Sequence, residues 1–434
     1  MFWSESLGLG QLSRFKLRKR SVDVDRAIRC VVQNAYRRTA HYRKVLDEAG
    51  LSPADIRGSG QLSLIPITTR EFIGEQSWRS VLSDRAVESK CYTALTSGST
   101  GTLLPVYMDR IEAYYRRLLL LLAFRKNLRF RLPLRIVEIG PRQKPAVDDV
   151  IQKMGIVRVV QVHLGGGLAS ADALLLKRFR PQILTGPPSC LELLAEQWTA
   201  AGLDGVALGL VVSRGEVLSD QTRARLQRTL QSRVVDYYSC EEVGNIAWEC
   251  PDRPGCLHIN ADACVVEILG EDGRHVPFGE EGMVVVTNLF NYTMPFVRYV
   301  LDDQAHFMTQ EGDRCTCGST LPLMSAPSGR DEDFLILPDG SRVSPRTIDN
   351  LVGHTLYSQI HDRESLIRYR IIQETVSLIR VEAIVAGVVD QTLEQTLDAK
   401  CRQIHSDMHC RLDLVDEFPA QGSSKLRRVT SRVA

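Results

Sequence analysis

Between Leu134 and Tyr238, short apolar runs alternate with stretches whose apolar residues recur at helical spacing. The runs cover 136–139, 157–162, 183–185, 208–213 and 234–238, and helical segments fit between them at Ser170–Phe179, 189–200 and 219–230. Continuous apolar runs separated by helices predict a parallel sheet covered on both faces. Each helical segment opens on a serine, so Ser170, Ser189 and Ser219 are expected as N-caps. In such sheets the ligand crevice lies beyond the carboxyl ends of the strands. Gly186-Pro187-Pro188, Arg214-Gly215-Glu216 and Ser239-Cys240-Glu241-Glu242 all fall there, so three sequence-distant loops can share one cleft.

The rhythm changes after about Asn260. Extended segments at 264–269, 282–289 and 296–300 follow one another with few helices, which predicts an antiparallel sheet or barrel. From about Asp331, a strand pair around Pro338-Asp339-Gly340 leads into a last region with strands at 367–372 and 376–384, a helix at 391–406 and a strand at 412–415. This reads as a compact α+β lid. The first ninety residues look helical, with Pro66, Thr68 and Thr69 marking the turn into the body. The apolar run 118–124, flanked by Arg116, Arg117 and Arg125, is too short to span a bilayer and reads as a buried helix.

Composition narrows the partners. A chain of 434 residues, 44% of them hydrophobic, can bury a large core and exceeds one domain on size. Fifty-four basic against 52 acidic residues leave a net charge of +2, which makes no electrostatic case for nucleic acid or an anionic membrane. Arg14, Lys16, Arg18, Lys19 and Arg20 read as one solvated helix face. The N-terminus lacks the basic-then-apolar signal pattern, so a cytoplasmic location is expected. Eleven cysteines in an unexported chain point to thiols and metal ligands, not to a disulfide framework.

The candidate chemistry begins at Thr96-Ser97-Gly98-Ser99-Thr100-Gly101. Its glycines let backbone N–H groups converge, and its hydroxyls add donors that rotate onto phosphate oxygens. Position 102 is Thr, followed by Leu103 and Leu104, so the lysine of a Walker-type phosphate loop is missing. Taken alone, the segment is either a surface turn or a phosphate cradle.

Five motifs in order decide between them: Thr96 to Gly101; Tyr238-Ser239-Cys240-Glu241-Glu242; Met294-Pro295-Phe296-Val297-Arg298-Tyr299 with Asp303; Gly329-Arg330; and Ser424-Lys425-Leu426-Arg427-Arg428. Together they resemble the adenylate-forming, acyl-CoA synthetase-like superfamily, and within it the phenylacetate–coenzyme A ligase-like branch, over nearly the whole chain. The resemblance implies an α/β fold with a large adenylating domain at 1–328, built of mixed and parallel sheets plus a β-rich subdomain. A mobile α+β lid at 329–434 follows, with its hinge between Arg330 and Asp333. It implies ATP-dependent activation of a carboxylic acid as an acyl-adenylate, release of pyrophosphate, and transfer to an acceptor, usually coenzyme A in this branch. Aryl or arylacetic acids are the branch's usual substrates.

By the same resemblance, Thr96 to Gly101 hold pyrophosphate oxygens with preorganised donors and without a competing nucleophile. Glu242 holds Mg²⁺, Tyr238 stacks on adenine, Asp303 accepts from the ribose hydroxyls, and Arg330 is a permanent cation beside ribose or phosphate. Ser239, Gly215 and Glu216 belong to the nucleotide loops. Glu242 is chosen over Glu241 because Val243-Gly244-Asn245-Ile246-Ala247 follows it in the branch's register. Lys425 swings in to bridge the carboxylate and phosphate, while Arg427 and Arg428 read as basic tail residues. The family has glycine where this chain has Ser239 and Asp302, so backbone geometry is open at both.

Cys250, Cys256, His258, Cys315 and Cys317 offer soft ligands without zinc-finger spacing. The branch resemblance assigns Zn²⁺ to Cys250, His258, Cys315 and Cys317, with Cys256 a spare or substitute; four protein ligands make a closed, structural site. The acceptor stays open between coenzyme A and an amine or carrier-protein thiol, and a homodimer stays open too. The alternative outside enzymes is a non-catalytic ligand-binding relative, against which Glu242, Asp303, Arg330 and Lys425 argue.

Overall fold

The five apolar runs become five parallel strands, Leu134–Gly140, Val157–His163, Ile183–Gly186, Leu210–Arg214 and Val234–Cys240. Strands covered on both faces need apolar residues at consecutive positions, which is why they read as runs and not as alternations. Three antiparallel strands, Gly244–Glu249, Cys256–Ile259 and Leu323–Ser325, extend this sheet to eight. The chain passes from strand Leu134–Gly140 to its neighbour Val157–His163 on one side, then to Ile183–Gly186 on the other. That reversal is the switch point at which open α/β sheets leave a crevice.

The computed structural model describes residues 23–96, 104–129, 132–140, 155–164, 167–310, 312–330, 333–359, 366–385, 389–390, 392–418 and 428–433. The basic cluster at 14–20, the loop residues Ser97, Gly98, Ser99, Thr100 and Gly101, and Lys425 lie outside them. No helix among the described residues is long and apolar enough to cross a membrane. The run 118–124 falls within the helix Arg110–Asn127, which buries Tyr115, Leu119, Ala123 and Phe124.

Of the three expected serine caps, only Ser219 serves: its hydroxyl accepts from the Thr222 N–H at the start of Asp220–Leu230. Ala169 occupies the N-cap of Ser170–Phe179 and makes no side-chain bond there. Helix Pro188–Trp198 starts one residue earlier than expected, because Pro188 presets the helical φ and the carboxylate of Glu216 caps from another loop.

Cys264–Leu269, Gly282–Asn288, Tyr299–Ala305 and Gly329–Arg330 form a four-stranded open antiparallel sheet, not a barrel. The third strand begins at Tyr299, later than the apolar pattern predicts, because Arg298 turns left-handed at φ 46°. Its side chain is buried. Nε and Nη2 each donate to a Glu267 oxygen at 3.1 Å, and Nη1 donates to the carbonyl oxygens of Ser63 and Ile65. Tyr42 accepts from the Val297 N–H at 2.8 Å, so the helical N-terminal segment is fastened to this sheet along several residues. Asp302 also turns left-handed, at φ 58°, which an aspartate tolerates better than other branched or bulky side chains.

The C-terminal region has its own core, including Leu335, Ile348, Val352, Tyr369, Val381 and Leu397. Its sheet runs His409–Leu414, Leu378–Val385, Leu366–Thr375, Val429–Ser431, flanked by helices Pro345–Gln359 and Leu393–Ile404. The first of these helices and the last strand depart from the sequence expectation. Helix Pro345–Gln359 follows directly on the short hairpin, and Val429–Ser431 is a three-residue strand beside Arg428 and Arg432 that a charge pattern disguises as tail.

Two predictions follow from this packing. Arg298→Ala strands a buried carboxylate and should cost about 3–5 kcal/mol in urea unfolding, with Glu267→Ala similar and the double variant well short of the sum. Asp302→Val should lose about 1–3 kcal/mol more than Asp302→Gly through its left-handed backbone; equal losses would refute the conformational explanation.

Candidate active site

At the carboxyl end of the parallel sheet, strand Val234–Cys240 ends in Tyr238-Ser239-Cys240 and turns through Glu241 and Glu242 into Gly244–Glu249. The pairing of these two strands shifts register between Tyr238 and Ser239. Ser239 is therefore accommodated by a bulge within strand geometry, and no left-handed residue is needed there. The Tyr238 hydroxyl donates to Asp303 Oδ2 at 2.6 Å, bridging the large sheet to the antiparallel one. Burial, then the neighbouring Asp303 carboxylate, push the phenol well above its usual range, so it remains a donor.

Asp303 and Arg330 are register partners on adjacent strands. Gly329 stands at φ 138°, and a Cβ there would come within 2.4 Å of the Pro345 ring, so glycine is the side chain that fits before Arg330. The two anchors thus lie side by side, with Tyr238 against the same edge.

The adjacent glutamates face different partners. Glu241 pairs with Arg116 at 2.8 Å, and the same guanidinium donates to the carbonyl oxygens of Cys240 and Glu241. Gly244, at φ 90°, is required by this arrangement: a Cβ would stand 2.9 Å from Arg116 Nε. Glu242 is buried, with Oε1 accepting from the Tyr299 hydroxyl at 3.3 Å and its carbonyl oxygen accepting from Asn288. Burial first, then Glu242, raise the Tyr299 phenol well above its ordinary value.

Thr96 closes the base of the glycine-hydroxyl loop between strands Tyr92–Leu95 and Pro105–Met108. Its N–H donates to the Leu104 carbonyl oxygen, and its Oγ1 accepts from the Leu104 N–H, both at 3.1 Å. Arg70 Nη2 donates to the same Oγ1 at 2.6 Å, and its charge also acts on Tyr299. Arg70 was not expected from sequence: one arginine in the first turn of a helix carries no motif, and Thr96 lies 26 residues away.

Glu216 accepts from both the N–H and hydroxyl of Ser189, at 3.1 and 3.0 Å. Its carboxylate and the adjoining Gly215 therefore belong to a join between the loops following Ile183–Gly186 and Leu210–Arg214.

A separate cluster gathers Cys250, His258, Cys315 and Cys317, with all four potential ligand atoms within 4.8 Å of one another. Cys250 and Cys315 sulfurs are 3.6 Å apart, and His258 Nε2 is 3.1 Å from Cys317 Sγ. His258 Nδ1 faces the Leu321 carbonyl oxygen at 3.3 Å, which leaves Nε2 as the free lone pair. Burial lowers the imidazole's pKa and lifts the Cys250 thiol to about 12. In Cys315, hydrogen bonds from the Cys317 backbone and the neighbouring thiols outweigh burial and hold its pKa below the usual value. Tetrahedral zinc with bonds of about 2.3 Å to sulfur and 2.0 Å to nitrogen keeps ligand atoms roughly 3.5–3.8 Å apart, so this donor set fits the ion. Cys256 is buried beside the cluster but outside the four.

No family profile matches the chain. The phenylacetate-coenzyme A ligase of Thermus thermophilus is 26% identical over 354 residues, covering 79% of this chain and 76% of that protein. The enzyme of the same name from Escherichia coli is 25% identical over 340 residues, or 74% and 73% of the two chains. Among solved structures, 2-hydroxyisobutyryl-CoA ligase in its postadenylation state superimposes with a TM-score of 0.76 at 18% identity, over 96% of this chain and 89% of that one. In sequence the chain is similar to phenylacetate-coenzyme A ligases, and in fold it is similar to an adenylate-forming acid–CoA ligase.

Proposed function

We propose that the protein couples a carboxylic acid of the aryl or arylacetic class to coenzyme A in two steps. The carboxylate oxygen attacks the α-phosphorus of ATP, forming an acyl-adenylate and releasing pyrophosphate. The thiol of coenzyme A then attacks the acyl carbon, forming a thioester and releasing AMP. The observation that carries this reading is the convergence of Thr96, of Tyr238 with Glu242, and of Asp303, from three separate segments, on the seam between the two sheets.

In this reading Tyr238 and Asp303 hold the adenosine half. The Asp303 carboxylate accepts from ribose hydroxyls, and the Tyr238 ring packs on the base while its hydroxyl orients that carboxylate. Glu242 is the oxygen ligand available to Mg²⁺, which when bound neutralises charge on the phosphates. Thr96, with Ser97 to Gly101, donates to the departing pyrophosphate, and Arg70 adds a fixed cation at the base of that loop. Arg330 lies beside Asp303, Gly215 and Glu216 belong to the nucleotide loops, and Lys425 arrives on the lid to offset the repulsion between carboxylate and triphosphate. We place the domain division as body at 1–328 and lid at 329–434, with the core of the lid starting at Leu335. The closed set of Cys250, His258, Cys315 and Cys317 holds structural Zn²⁺, tying the segment after Glu242 to the one leading to Arg330.

Hydroxylamine trapping with ATP, Mg²⁺ and a panel of carboxylic acids should yield a hydroxamate, detected by mass spectrometry, with an aryl or arylacetic acid leading the panel. In the same assay Lys425→Ala should slow pyrophosphate release by at least about a hundredfold while sparing thioester formation from supplied acyl-adenylate. Coenzyme A should accelerate turnover; acceleration by an amine or carrier protein alone would reassign the acceptor, and pyrophosphate release with no acid would reject the reaction. Purified protein should carry about one zinc per chain, and Cys315→Ser should lose it and lower the thermal midpoint by several degrees, since structural zinc contributes several kcal/mol of folding free energy and each kcal/mol shifts a chain of 434 residues by roughly 1 °C.

A further inference from the structure

Arg428 is not the solvated tail residue that its neighbours in sequence suggest. It is largely enclosed where the C-terminal region meets the body, with its side chain 15% exposed. Its Nη2 pairs with the Glu192 carboxylate, its Nη1 donates to Thr222 Oγ1 at 3.1 Å, and its guanidinium lies 4.7 Å over the Tyr369 ring. Glu192 and Thr222 belong to two body helices, Pro188–Trp198 and Asp220–Leu230, and both are almost wholly buried. Thr222 in turn donates to Glu192 at 2.8 Å, and on the other side Tyr369 donates to Asp349 at 2.6 Å. One arginine therefore joins a preset carboxylate–hydroxyl pair on the body to an aromatic platform on the lid.

Other bonds across this boundary are weaker or nearer the hinge. Gln221 and the Asp220 N–H meet Asn350 at 3.2 and 3.1 Å, Arg225 meets Tyr357 at 3.4 Å, and Arg346 approaches Asp236 at 3.9 Å. Arg428 is three residues from Lys425 and opens the strand Val429–Ser431, which pairs with Leu366–Thr375. A charge-assisted contact with an almost wholly buried carboxylate at that point fixes where the strand Val429–Ser431 begins. The body side of the contact is the helix that begins at Pro188, whose first turn is joined to the loop of Glu216 at the carboxyl end of the parallel sheet.

We propose that Arg428 is a latch: docked on Glu192 and Thr222, it holds the lid in the position that presents Lys425, and it must release before the lid can turn for thiol transfer. This role rests on the adenylation reading above. Arg428 is a positioning residue, acting through Lys425 and not on the reacting atoms.

The test compares wild type with Arg428→Met, Arg428→Lys and Glu192→Gln in both half-reactions and in a fluorescence-transfer measurement between one dye on the body and one on the lid. Arg428→Met and Glu192→Gln should slow acid-dependent pyrophosphate release roughly tenfold or more at saturating ATP, leave thioester formation from supplied acyl-adenylate unchanged or faster, and broaden the lid–body distance distribution. Arg428→Lys should recover part of the first rate. Equal losses in both half-reactions, or an unaltered distance distribution, would overturn the latch. If wild type makes no adenylate with any acid, the functional reading fails, while the distance measurement still decides whether Arg428 holds the lid.

Discussion

A single hydrogen bond, from the Tyr238 hydroxyl to Asp303 Oδ2 at 2.6 Å, sets the geometry on which the site depends. Tyr238 ends a central strand of the eight-stranded sheet, and Asp303 lies on the four-stranded antiparallel sheet. Packing of apolar faces brings two sheets together but does not fix their register to a fraction of an ångström. A half-buried, charge-assisted bond does, because leaving either partner unmatched in that setting is costly. Its consequences spread outward: Asp303 carries Arg330 as its register partner, the turn after Tyr238 carries Glu242, and Tyr299 on the strand of Asp303 reaches back to Glu242. The site is a seam between two sheets, closed at both ends by tyrosines.

What could be read from the sequence followed from how local the cause was. The parallel strands were legible because double-sided burial makes every position apolar; Glu242 was singled out through the register of Gly244, and the structure shows Arg116 packed against that glycine. Asp302 was visible as a departure from the family's glycine and is explained by a left-handed backbone that aspartate tolerates. Arg70 and Arg428 were not legible, since each is defined by a partner far along the chain, Thr96 in one case and Glu192, 236 residues away, in the other. A charged residue in a basic stretch reads as solvated until the fold brings it a buried carboxylate.

The body and the C-terminal region use arginine in two ways. Arg298 is surrounded by Glu267 and two backbone carbonyl groups within the body, and its pairing is permanent architecture. Arg428 spans the boundary between two cores, which is where the proposed latch acts. The cysteine–histidine cluster complements both. It brings His258 on the strand Cys256–Ile259 against Cys315 and Cys317 on the segment that returns toward Arg330.

The central claim is that the seam between the two sheets holds an adenosine nucleotide through Asp303. Isothermal titration of AMP into wild type and Asp303→Ala, with both proteins shown to be folded by circular dichroism, tests it most directly. The account predicts saturable, one-to-one binding to wild type and a loss of roughly tenfold or more in affinity for the variant, the scale of charged hydrogen bonds to a ligand. Equal affinity in the two proteins, or no AMP binding to wild type, would contradict it.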